Sequence, residues 1–187
     1  MFPIYEQGKG RGKGLGLETF LTRFDQICAK HVREHRAKAF AFIFYDSQDA
    51  ALKRILKDEG VFTKLDRLVG TELSVFFLYA SSTERELWGF NRMFLSKLGL
   101  DDVARPPCVV FFDFNDGTIQ DVTVAELEHA NIVHGFHELY EVLQRYIVDR
   151  NAPSASGGSL KWMRGAAKFI GLEVFRAALA KGAEKVF

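Results

Sequence analysis

Arg105-Pro106-Pro107-Cys108-Val109-Val110-Phe111-Phe112-Asp113-Phe114, followed at once by Asn115-Asp116-Gly117, is the stretch that decides the fold. Proline has no N–H to give to a ladder, so it is excluded from central strand positions but can stand at a strand's entrance. Asn or Asp before Gly, between apolar runs, is the strongest short-range hairpin signal. The stretch therefore predicts a proline-led strand, a tight turn and a second strand over residues 118–124. Pro106-Pro107 is the candidate cis bond at that entrance. Such an entrance commonly carries a loop that faces a ligand or partner, which makes Pro107 and Cys108 candidate binding residues.

On the amino-terminal side, residues 40–45 and 73–79 are continuous apolar runs of the kind buried in the middle of a sheet. Asp46 and Ser47 end the first run and are placed to cap a helix over residues 50–57. Gly60 is expected to break that helix before periodicity resumes over residues 62–69. Leu17, Phe20, Leu21, Phe24, Ile27, Cys28, His31 and Val32 form one apolar stripe and predict a helix from 17 to about 38. Ser81-Ser82-Thr83 with Glu84 and Glu86 opens a further helix that uses Leu87, Phe90, Phe94, Leu95 and Leu98. Beyond the hairpin, Thr123 and Glu126 have the spacing of a capping box for a long helix through Ile132, Phe136, Leu139, Leu143 and Ile147.

The order is helix, strand, helix, strand, helix, strand, strand, helix, and after the first helix the body over about residues 38–147, with Pro107 before the third strand, resembles the thioredoxin-like fold. That fold joins a βαβ unit through a helix to a ββα unit. The resemblance covers roughly 110 of the 187 residues and implies an α/β sheet with an added amino-terminal helix and a carboxy-terminal helical appendage. A Rossmann-type or flavodoxin-like sheet is the alternative topology. The family's redox motif would lie at Asp46-Ser47-Gln48-Asp49-Ala50, where no cysteine stands. A disulfide oxidoreductase would lack its thiolate there. Ser47 has two readings, a helix cap or a glutathione-transferase-like hydroxyl activated by a helix N-terminus.

The ends of the chain differ from its body. Residues 1–16 and 159–187 sum to +2 and +4, which leaves −5 for residues 17–158. An acidic body argues against a broad nucleic-acid face and leaves the ends open to anionic partners. Residues 1–16, with the Gly-alternating run Gly8 to Gly16, are expected to form a basic tail; the pattern lacks the Gly-Lys-Ser/Thr of a phosphate loop. Residues 151–158 read as a linker. Residues 159–187 read as a basic amphipathic helix in which Trp162, Lys161, Arg164 and Lys168 are candidate contacts to a protein, an anionic membrane or nucleic-acid phosphates. Two cysteines far apart in sequence, no long apolar leader and no span of roughly 20 apolar residues lead to a cytoplasmic expectation.

Other chemistry is suggested only locally. His31-Val32-Arg33-Glu34-His35 matches the His-x-x-Glu-His pattern of inverted zinc peptidases, with an ordinary packed or surface histidine pair as the competing account. His129, His134, His137, Glu126, Glu138 and Glu141 crowd one predicted helix but point to no single site. Asp46, Asp49, Asp113, Asp116 and Asp121 lie near strand ends, where converging carboxylates would support metal-dependent phosphoryl transfer or hydrolysis. The leading expectation is a noncatalytic thioredoxin-like interaction or assembly module that needs no cofactor or metal and takes a protein partner or a second copy. A metal-dependent enzyme, or a module that binds anionic membrane or nucleic acid through the last helix, is the alternative.

Overall fold

The computed structural model describes residues 1–5, 15–79, 84–128, 132–151, 162–164 and 170–171. Five helices and a mixed sheet make an α/β fold. The elements are β1 (Phe2–Tyr5), β2 (Leu15–Gly16), α1 (Leu17–Arg33), β3 (Ala39–Phe44), α2 (Ala50–Lys57), α3 (Glu59–Val69), β4 (Leu73–Leu78), α4 (Glu84–Lys97), β5 (Cys108–Asn115), β6 (Thr118–Glu126) and α5 (Ile132–Asn151), followed by β7 (Trp162–Arg164) and β8 (Ile170–Gly171). The sheet order is β2-β1-β4-β3-β5-β6-β7, with β8 also on β6. β1, β4 and β3 run parallel, β5 runs antiparallel to β3, and β6 runs antiparallel to β5 and so in the direction of β3.

Alternation along the buried strands sorts the core into two layers. Phe40, Phe42 and Phe44 of β3, Phe76 of β4 and Phe112 of β5 meet Phe20 and Phe24 of α1 and Phe90 and Phe94 of α4. Phe42 alone has six phenylalanine rings within 6 Å, centroid to centroid. On the opposite layer Phe77 of β4 meets Phe62 of α3, and Phe111 of β5 stacks on Tyr146 of α5 at 4.1 Å. There α2 and α5 approach closely enough that a Cβ on Gly135 would stand 3.3 Å from Ile55 Cδ1. The phenylalanines of the described strands and helices are thus largely core. Among the described residues, Trp88 on α4 is a large aromatic left 59% exposed, with Arg92 over its ring.

The hairpin prediction holds: β5 and β6 meet at Asp116-Gly117, both with positive φ, and Pro106-Pro107 is cis. Other boundaries differ. Residues 2–5, expected to begin a tail, are β1, paired with residues 76–78 of β4. Ile4 is fully buried. Pro3 is tolerated because β2 pairs only Ile4 and Tyr5, so the missing N–H falls where that edge is open. Residues 6–14 lie outside the described residues. The break between α2 and α3 falls at Asp58, whose Oδ1 accepts from Val61 N at 2.9 Å, and Gly60 sits inside α3. Thr123 and Glu126 continue β6 opposite Phe111 and Cys108 and cap no helix.

The carboxy-terminal helix is corrected for the residues described. Trp162–Arg164 and Ile170–Gly171 are strands on β6, not turns of a helix. β6 would otherwise leave an open edge with a row of unpaired N–H and C=O groups, and a segment weakened as a helix by Gly165 and Gly171 can satisfy them as a strand.

Candidate functional site

The carboxyl end of β3 and the entrance of β5 lie side by side, because Phe44 pairs with Cys108. This brings the turn of residues 46–49 to the Pro107-Cys108 entrance. Asp46 Oδ1 accepts from Gln48 N at 2.7 Å, and Asp49 Oδ2 accepts from Asp46 N at 2.7 Å. The carboxylates therefore lock the turn. Asp49 is the N-cap residue of α2 by position, but its side chain makes no cap bond. Neither Asp46 nor Ser47, the residues expected to cap α2, does so. Across the entrance, Pro107 O accepts from Leu127 N at 2.9 Å, and Glu126 pairs with Cys108. Asn91 of α4 donates to Tyr45 O at 2.9 Å and ties that helix to the same end.

The electrostatics of this end oppose thiolate chemistry. Cys108 is wholly buried. Burial first, and the nearby charges of Glu126 and Asp49 second, push its thiol up to about 12. Reactive cysteines need the reverse, an exposed thiol beside positive charge or an unsatisfied helix N-terminus. Cys28, buried in α1, is raised as well by desolvation. Glu126 was legible only as half of a capping box. The alternation Val122, Val124, Glu126 extended past Thr123 is the signal that would have kept it on the strand beside Cys108.

The strand-end carboxylates do not converge. Asp46 and Asp49 are at the end of the sheet where Cys108 enters, whereas Asp113 and Asp121 are near the other end of β5 and β6. There Arg150 Nη1 binds Asp113 Oδ1, and Arg150 Nη2 donates to Lys38 O at 3.0 Å. Burial raises the Asp113 carboxyl and outweighs the pull of Arg150. Tyr146 is pushed up to about 12, by burial first and by Asp113 next. Lys38 Nζ meets Glu72 Oε1 at 2.8 Å, and Asn151 donates to Glu72 Oε2 at 3.3 Å. Together these groups anchor the end of α5 under the sheet.

The histidine pattern separates in space. His31 is buried against Phe2, Phe40 and Phe76, and its Nδ1 lies 2.7 Å from Ser74 Oγ. His35 is exposed past the end of α1, with φ 54. The two imidazoles expected on one helix face thus do not share a metal position. Among the described residues no three of His, Cys, Asp and Glu gather as ligands. Glu138 Oε1 accepts from Glu128 N at 2.8 Å, which uses that acid to hold the approach to α5, and His129 lies outside the described residues. Of the carboxy-terminal candidates, Trp162 and Arg164 fall on β7, opposite Ala125 and Thr123, while Lys161 and Lys168 lie outside the described residues. Among the described residues no helix is long and apolar enough to cross a membrane.

Compared with models of known families, with curated proteins and with solved structures, the chain finds no match.

Proposed function

We propose that the chain is a noncatalytic module of the thioredoxin-like type that binds a protein partner or a second copy of itself. The strand order supports the fold assignment: β3, the α2–α3 pair and β4 form a βαβ unit, and α4 leads from it to the ββα unit of β5, β6 and α5. The observation that carries the functional reading is the state of Cys108. It stands beside the turn where a redox dithiol would lie, yet that turn is Asp46-Ser47-Gln48-Asp49 and the thiol is buried among acids. Thiol–disulfide exchange needs an accessible thiolate, and this end of the sheet disfavours one. The opposed placement of the two carboxylate groups likewise gives a metal-dependent enzyme no focus.

The test is turnover of a model disulfide by the purified protein and by Cys108→Ser under reducing equivalents. Neither should turn over, and the serine variant should fold with at most a modest change in stability. Turnover that disappears with Cys108 would make Pro107-Cys108 an active site and end this proposal.

A further inference from the structure

β6 is the last long strand of the sheet, and its outer edge is covered by this chain's own carboxy-terminal segment. Trp162, Met163 and Arg164 pair with Ala125, Val124 and Thr123, and Ile170 and Gly171 pair with Ile119 and Thr118. Both ladders run antiparallel to β6, one toward each of its ends. Residues 120–122 stand between the two described ladders, which pair three and two residues, and Asp121 has φ 50. Short separate ladders hold a strand weakly.

The edge and its cover are complementary in charge. β6 carries Asp121 and Glu126 and no cation, and it belongs to the acidic part of the chain. Residues 152–172 carry Lys161, Arg164 and Lys168 and no acid. Two copies of β6 pairing with each other would bring like charges together, whereas a basic strand would not. Edge strands take up extended peptides through main-chain bonds, with side-chain chemistry selecting the partner.

We propose that the outer edge of β6 is an acceptor for extended basic peptides, and that residues 162–164 and 170–171 occupy it in cis as parts of a tethered competitor. This rests on the proposal that the chain is a binding module and names the surface and the partner's chemistry. Because the tether supplies a high local concentration, an outside peptide gains the edge only when the cis segment is displaced. The segment is thus an autoinhibitory strand.

The probe is a labelled peptide with the sequence of residues 160–172, followed by fluorescence anisotropy against the full chain. Met163→Pro/Arg164→Pro weakens the cis ladder, because of two successive N–H groups in a strand one points to the neighbour. This variant should bind the probe at least tenfold tighter than the wild type. A probe with Glu in place of Lys161, Arg164 and Lys168 should bind the variant at least tenfold more weakly than the basic one. Equal affinity of variant and wild type would overturn the competition, and no binding by either would overturn the acceptor. Independently of how the proline variant folds, Thr123→Cys/Arg164→Cys in the full chain places two thiols on directly paired residues, within reach of a disulfide. On oxidation it should close within one chain. Failure to close, or closure only between chains, would overturn cis occupancy. These outcomes leave the disulfide-turnover result untouched, so each proposal fails separately.

Discussion

Replacing His31 should remove most of a pH dependence of stability between pH 7 and pH 5. The imidazole is 6% exposed, enclosed by Phe2, Phe40 and Phe76, and hydrogen-bonded to Ser74, itself buried on β4. Burial disfavours the imidazolium, Arg36 and Lys30 add to that, and Glu34 opposes it, so the group is lowered from 6.5 to about 4. Between those values the unfolded chain binds the proton and the folded chain does not. Stability is therefore complete above pH 6.5 and is lost as pH falls toward 4. With the two values cited, the loss from pH 7 to pH 5 is about 2 kcal/mol, rising to roughly 3 kcal/mol by pH 4. The assay is urea unfolding across that range for the wild type and for His31→Gln, which lacks the titration. The variant should start less stable at pH 7, because Gln fits the ring stack poorly, and its stability should fall less on acidification by about 2 kcal/mol. Parallel curves for the two proteins would refute the placement of a neutral imidazole in this core.

Arg150→Met should cost about 1–3 kcal/mol at pH 8, because it leaves the partly buried Asp113 carboxylate without its guanidinium. Asp113 is already raised by burial and would rise further, so the folded state gains a proton first and the deficit should shrink toward pH 5; a deficit that grows on acidification would contradict this. Phe42→Ala should cost about 3–5 kcal/mol in denaturant unfolding, since the ring is wholly buried among six others. Trp88→Ala, at an exposed position, is the control and should change stability by less than about 1 kcal/mol.

What the residues determined by themselves is local in its physics. The Pro107 entrance, the Asp116-Gly117 turn and the apolar runs of β3 and β4 specify their own conformations, through missing N–H groups, positive φ and burial on both faces. The absence of cysteine from residues 46–50 is likewise read directly from the chain. Tertiary structure decided what depends on distant hydrogen-bond partners. β1 is four residues long and contains a proline, so it has no periodicity to detect, and its pairing with β4 makes it a strand. Residues 162–164 and 170–171 sit in a stretch with helical spacing of apolar residues, yet the open edge of β6 offers their backbone a ladder. His31 and His35 share a pattern in sequence, but the end of α1 between them puts one in the core and the other in solvent. The candidate site divides in the same way: its residue types stand in the sequence, whereas the burial of Cys108 between Asp49 and Glu126 arises only when β3, β5 and β6 come together, because desolvation and charge act through space and not along the chain.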